Sequence, residues 1–121
     1  MEMNATKSLT VLIPFFNEER TLPELVRQLS ELPAGIITKI IFVNDGSADG
    51  SLALLENALS LTNLNCKIIS KSNGGKASAI REGARHLETS HVVILDADLE
   101  LKTSDVVKLW NAVLEIGRAH V

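Results

Sequence analysis

Lys39-Ile40-Ile41-Phe42-Val43, closed at once by Asn44-Asp45-Gly46-Ser47, is the stretch that decides the fold. An apolar run this short, without polar alternation, fits a strand buried on both faces better than an amphipathic helix. The cluster behind it is turn chemistry: Gly46 permits a sharp bend, and short polar side chains bond to nearby backbone. The same grammar recurs on either side. Leu9-Thr10-Val11-Leu12-Ile13 reads as a buried strand that Pro14 should stop, because proline has no N–H for a central ladder. Cys66-Lys67-Ile68-Ile69 is a weaker, edge-like strand, and Val92-Val93-Ile94-Leu95 is a fourth.

Helical patterns fill the intervals. Thr21 is expected to cap a helix with Pro23 in its first turn and Leu25, Val26, Leu29 and Leu32 along its stripe. A second helix starts near Gly50, with Leu52, Leu55 and Leu59 on one face. A third starts near Gly75 and carries Ala77, Ile80, Ala84 and Leu87. Ser104 is expected to cap a last helix containing Val107 and Leu109 to Val113. The order βαβαβαβα predicts an α/β fold, a parallel sheet covered on both faces with right-handed crossovers.

At 121 residues the chain makes one domain, large enough to bury a core without disulfides. Apolar residues make up 45% and charged residues 22%, and the mean hydropathy is +0.17, as expected of a globular chain rather than a disordered one. A net charge of -3 offers no basic excess for displacing counterions from nucleic acid. With aromatic content at 3%, base-stacking platforms for a nucleic acid are not expected either. The lone Cys66 excludes an internal disulfide and fits a reducing compartment. No apolar run is long enough for a membrane span, and no signal peptide is visible, so a cytoplasmic location is expected.

Function is sought where polar residues gather. Three groups follow strand ends: Asn17-Glu18, Asn44-Asp45 and Asp96-Ala97-Asp98. In open parallel sheets ligands bind outside the carboxyl ends of the strands. Asp96 and Asp98 are the sharpest feature. At i and i+2 of an extended chain they share a side, with Cα atoms about 6.5–7 Å apart. One can hold a hard divalent cation while the other meets a sugar hydroxyl or a metal-bound water. The same two residues also fit a polar loop making Asx-turns. Asp45 is placed to accept a base N–H or a ribose hydroxyl, or else to cap a helix. Glu18 either faces a ligand or favours a helix dipole.

Asn73-Gly74-Gly75-Lys76 opens the third helix, where glycines let backbone approach an anion and Lys76 adds positive charge. It equally fits a glycine turn with a solvated lysine. It is not a phosphate-binding P-loop, because Ser70 and Ala77 stand where that pattern needs Gly and Ser or Thr. His86, His91 and His120 show no metal-ligand spacing, and Cys66 reads as a small buried hydrophobe.

Together these clusters resemble family-2 glycosyltransferases of the GT-A fold. The matching stretches are Val11 to Glu19, Val43-Asn44-Asp45-Gly46-Ser47-Ala48-Asp49, Asn73 to Gly83, and Leu95-Asp96-Ala97-Asp98-Leu99. The match spans about residues 9–114. The stretch Leu99-Glu100 and Ser104 to Leu109 looks most like polyprenyl-phosphate sugar transferases of the dolichyl-phosphate type. The resemblance implies a nucleotide-diphosphate sugar as donor, a divalent cation (Mg²⁺ or Mn²⁺), and inversion at the sugar's anomeric carbon. It implies that Glu18 and Asp45 contact the base or ribose, that Asp96 sits near ribose and sugar, that Lys76 lies near the nucleotide, and that Asp98 holds the metal. Asn44 departs from the family's frequent acidic residue, and Ala77 from its frequent glycine.

No catalytic base is identified, because the family's base and acceptor-binding elements follow the region this chain covers. The chain is read as an N-terminal tail at 1–8, a nucleotide-sugar-binding part at 9–114, and a non-native end at 115–121. Glu115-Ile116-Gly117-Arg118-Ala119-His120-Val121 translates a sequencing adapter in one frame, so truncation is expected, and this chain alone is not expected to transfer sugar. Two other functions fit the same sheet. A sugar-nucleotide nucleotidyltransferase would carry a glycine-rich N-terminal loop, yet Leu12 to Glu19 has no glycine. A non-catalytic interaction domain would use its acidic clusters as surface caps and bind no nucleotide.

Overall fold

A computed structural model describes residues 7–99 and 102–119. Its elements alternate as expected: β1 (Leu9–Phe15), α1 (Leu22–Ser30), β2 (Lys39–Asp45), α2 (Ser51–Ser60), β3 (Cys66–Lys71), α3 (Lys76–Ala84), β4 (His91–Ile94) and α4 (Thr103–Ala119). All strand pairs are parallel, in the order β3-β2-β1-β4. The first two strands are central and mostly apolar, with Thr10 the buried polar residue of β1, and β3 is an edge, as its weaker pattern suggested.

Alternation along the strands divides the core. Val11, Ile13 and Phe15 of β1 and Ile40 and Phe42 of β2 face α1, α2 and α4. Leu12, Ile41 and Val43 face α3, packing against Ala79. Each fully buried side chain of this size contributes about 1.5–3 kcal/mol, so the two central strands carry much of the stability.

Pro14 does not stop β1, which runs on to Phe15 with Pro14 opposite Val43 of β2. The reason lies in which side its missing N–H would face. Leu12 accepts from Leu95 N–H, so even-numbered residues of β1 address β4. Pairing between β1 and β4 ends at Leu12 and Ile94, so proline sits where β4 no longer asks for a donor.

The helix faces also differ from expectation in places. On α3 the buried residues are Ala79 and Gly83, while Ala77 and Ala84 are exposed. A Cβ on Gly83 would come within 2.3 Å of Leu12 Cδ1 and 3.0 Å of Val43 Cγ2, so the helix lies closer to the sheet than a larger residue permits. Small residues form that contact, and a search for large apolar side chains passes over them. On α4 the buried apolar residues are Val106 and Trp110, with Leu109 exposed. Helix α4 begins at Thr103, one residue before the expected cap, and continues through Ala119. The start of the expected tail and the last two residues of the expected non-native end lie outside the described residues.

Candidate functional site

Three loops meet above the carboxyl ends of β1, β2 and β4. The first two are laced together by backbone-to-side-chain hydrogen bonds. Ser47 Oγ accepts Asn17 N–H at 2.9 Å, Ser51 Oγ accepts Glu18 N–H at 2.7 Å, and Glu19 Oε1 accepts Gly50 N–H at 2.7 Å. Asn17 takes a left-handed φ of 53°, which asparagine tolerates, and its Oδ1 accepts Ala48 N–H at 2.8 Å. Much of the polar cluster after β1 therefore builds loop structure, and Glu18 borders the space between the loops while its Oε2 accepts from the Thr21 hydroxyl.

That space is an open cleft of about 260 Å³. Glu18, Asp45, Lys76, Asp96 and Asp98 all line it, so the structure brings together every site residue expected from the sequence. Its apolar wall is Pro14, Phe15 and Phe16.

Asp45 ends β2 on the cleft floor, and its side chain is only 5% exposed. Its Oδ1 accepts from Lys71 Nζ at 2.9 Å and from Gly74 N–H at 3.0 Å, and its Oδ2 from Gly75 N–H at 2.9 Å. Asn73 Nδ2 adds a bond to the Asp45 carbonyl at 2.9 Å. Burial by itself would raise the Asp45 pKa, but the Lys71 ammonium and the two glycine N–H groups outweigh it and hold the carboxyl below its ordinary value. The glycine loop thus already cradles an anion, and the anion is the protein's own. Gly46, at φ +75°, lets the loops close: a Cβ there would lie 2.6 Å from Asn73 N.

Lys76 opens α3 and reaches across to Asp96, with Nζ 2.5 Å from Oδ1. Both side chains are accessible, at 59% and 38%. The hydrogen bond to Asp96 raises the lysine pKa, and the charges of Asp96 and Asp98 add to it. The turn carrying Asp96 and Asp98 is anchored from below. Thr21, expected as a helix cap, makes no capping bond; its hydroxyl lies 2.6 Å from the Ala97 carbonyl and 2.9 Å from Glu18 Oε2. Leu99 closes the turn at φ 65°, an uncommon conformation for a bulky residue.

Asp96 and Asp98 are hard oxygen donors of the kind Mg²⁺ and Mn²⁺ take. Among the described residues no three His, Cys, Asp or Glu gather as a metal cage. The donor set therefore fits a cation that completes its shell with water and phosphate oxygens, as Mg²⁺ usually does.

Three participants escaped the sequence reading. Lys71 falls beyond the expected end of β3; had that strand been run two residues further, its register partner would have been Asp45. Thr21 reads in the sequence as a helix cap. Phe16, 47% exposed in the cleft wall, was passed over because the overall aromatic content is low. His86 and His91 lie away from the cleft: His86 bonds Lys67, and His91 stacks edge-on with Trp110 at 5.2 Å, while His120 lies outside the described residues.

A parallel sheet ordered β3-β2-β1-β4, with an acidic cleft at its carboxyl edge, is an open α/β arrangement that matches the N-terminal half of a GT-A fold. A family model described as Glycosyl transferase family 2 matches residues 10–121. The chain belongs to glycosyl transferase family 2. Solved structures share the fold at low identity. Mannosyltransferase PcManGT from Pyrobaculum calidifontis, in complex with GDP-Man and Mn²⁺, is 22% identical with a TM-score of 0.72, over 84% of this chain and 31% of that one. TarS of S. aureus is 22% identical with a TM-score of 0.74, over 89% and 32%. Glucosyl-3-phosphoglycerate synthase from Mycobacterium tuberculosis, in complex with Mn²⁺, UDP and glucosyl-3-phosphoglycerate, is 20% identical with a TM-score of 0.64, over 75% and 33%. The chain spans about a third of the length of these proteins. Among the described residues no helix is long and apolar enough to cross a membrane.

Proposed function

We propose that this chain forms the donor-binding part of an inverting glycosyltransferase that uses a nucleotide-diphosphate sugar and a divalent cation. The observation that carries this reading is the convergence of Glu18, Asp45, Lys76, Asp96 and Asp98 on one cleft at the carboxyl edge of a parallel sheet. Family membership and the GDP-Man and UDP complexes of the structural neighbours support it. Family membership also favours it over the nucleotidyltransferase.

Each residue has a task in such a cleft. Phe16 offers an exposed aromatic face beside Pro14, a surface on which a planar ring can pack. Glu18 is placed to accept from base or ribose. Asp45 supports the nucleotide pocket chiefly by ordering the loop of Asn73 to Gly75, since its carboxylate oxygens already accept from Lys71 and two glycine N–H groups. Lys76 is placed to set its ammonium against the diphosphate, and Asp96 to accept a ribose or sugar hydroxyl. Asp98 would hold the cation, which supplies charge neutralisation on the departing diphosphate. A polyprenyl phosphate fits as acceptor because it is already anionic and needs no general base to become a nucleophile. In that case the protein works at the cytoplasmic face of a membrane.

The test is a titration of the chain with UDP and GDP, with and without Mn²⁺. Metal-dependent binding is expected, and Asp98→Asn should weaken it by about tenfold while leaving metal-free binding unchanged, because an amide oxygen is a poorer ligand for a hard cation. Equal affinity of wild type and Asp98→Asn across the Mn²⁺ series would remove the metal role. No binding of either nucleotide would favour the interaction-domain reading.

A further inference from the structure

Asp96 already has a cation. Lys76 Nζ sits 2.5 Å from its Oδ1 across the cleft, and the charge of Asp98 also acts on that ammonium. Among the described residues the cleft gathers no third metal-type ligand beside the two aspartates. A divalent cation arriving alone would therefore have to displace a lysine from one of two carboxylates, with only water to fill the rest of its shell. A nucleoside diphosphate changes both sides of that exchange. Its phosphate oxygens complete the cation's shell, and its negative charge gives the released ammonium a new partner.

We propose that Asp96 joins Asp98 as a ligand to the cation once Lys76 releases it, so that Lys76 is an internal competitor at Asp96 and makes cation binding depend on the nucleoside diphosphate. This rests on the donor-binding reading given above. Lys71 has no such freedom. It is 19% exposed and held between Asp45 and the Ser72 carbonyl, at 2.9 and 2.7 Å. Lys76 is more than half exposed, it pairs with a carboxylate on another loop, and a long flexible stem lets it swing. The site thus discriminates against free cations without any added element. An ion pair that is weak because it is exposed can be exchanged when a stronger partner arrives.

The experiment is a Mn²⁺ titration of the full chain without nucleotide, read from the electron paramagnetic resonance signal of free Mn²⁺. Wild type, Lys76→Gln, Lys76→Arg and the double variant Lys76→Gln/Asp96→Asn are compared. Lys76→Gln should bind Mn²⁺ alone about threefold more tightly, the order of effect expected for a partly exposed ion pair. Lys76→Arg, which keeps the charge, should stay near wild type. The gain should vanish in the double variant. Lys76→Gln should also bind UDP and GDP without metal more weakly than wild type, an opposite sign that a purely structural lysine would not produce. Unchanged or weaker Mn²⁺ binding in Lys76→Gln overturns the proposal, as does a gain that survives Asp96→Asn. Failure of wild type to bind UDP or GDP with Mn²⁺ overturns the donor-binding reading instead, while the metal-only arm still decides whether Lys76 competes at Asp96.

Discussion

Lys71–Asp45 and Lys76–Asp96 are the same chemical pair, built from lysines five residues apart at the end of β3 and the start of α3, and both aspartates line the same cleft. They differ in what surrounds them. Asp45 is buried and accepts from two backbone N–H groups as well as the ammonium; Asp96 is accessible and meets its lysine across open space. Burial turns the first into a clasp that fixes loop geometry. Exposure leaves the second with little net stability and therefore free to exchange partners. Identical side chains thus serve order in one place and turnover in the other, and solvent decides which.

The contrast breaks first at Asp45. Asp45→Ala leaves Lys71 and the N–H groups of Gly74 and Gly75 without their acceptor, so we expect a loss of about 2–3 kcal/mol in urea unfolding. Nucleotide binding should weaken both with and without Mn²⁺, because the loop that carries Lys76 loses its anchor. A loss confined to the Mn²⁺ arm would show instead that Asp45 acts through the metal.

Gly46→Ala attacks the same clasp from the residue that follows Asp45. The added Cβ meets Asn73 N at 2.6 Å, and the backbone is held at φ +75°. We expect about 1–2 kcal/mol of destabilisation, typical of strain at such a position. Thermal unfolding checks it; an unchanged midpoint would mean that the two loops are not pressed together.

Acid should separate the two pairs more gently. The folded-state pKa of Asp45 lies below that of an ordinary aspartate, so its contribution to stability is present above the ordinary value. It disappears as pH falls through the lower, folded value. The stability gap between wild type and Asp45→Asn should therefore be constant near neutrality and close below about pH 4. A gap that widens on acidification would reverse the assigned sign.

The smallest expected effect on stability belongs to the exposed pair. Lys76→Gln should change unfolding free energy by no more than about 0.5 kcal/mol, measured in the same urea series. A loss as large as that of Asp45→Ala would mean that Lys76–Asp96 is also a clasp, and the distinction between the pairs would collapse.

Most of the architecture was legible because it is written in short-range pattern. Apolar runs such as Ile40 to Val43 and the glycines between them mark strands and turns by local physics alone. The site's membership was legible for the same reason: Glu18, Asp45, Lys76, Asp96 and Asp98 each sit just past a strand end or at a helix start. Partnership was not legible. The bond from Lys71 to Asp45 spans 26 positions and that from Thr21 to the Ala97 carbonyl spans 76, and each depends on register or on loop closure. The buried face of α3 escaped because Ala79 and Gly83 pack through their smallness, which hydrophobicity does not score.

Pro14 gives β1 two different lengths. Toward β2 the strand pairs through Phe15, whereas toward β4 its pairing ends at Leu12. The next rung on the β4 side would need a donor from Pro14 to the carbonyl of Leu95, and proline has none. The sheet therefore unzips on one side only, and the chain leaves it immediately before Asp96. A residue that can donate there, as in Pro14→Ala, would offer β4 one more rung and draw Asp96 toward the ladder. One imino acid thus works as punctuation: it ends a line of backbone pairing where the chain must turn from holding itself together to facing outward.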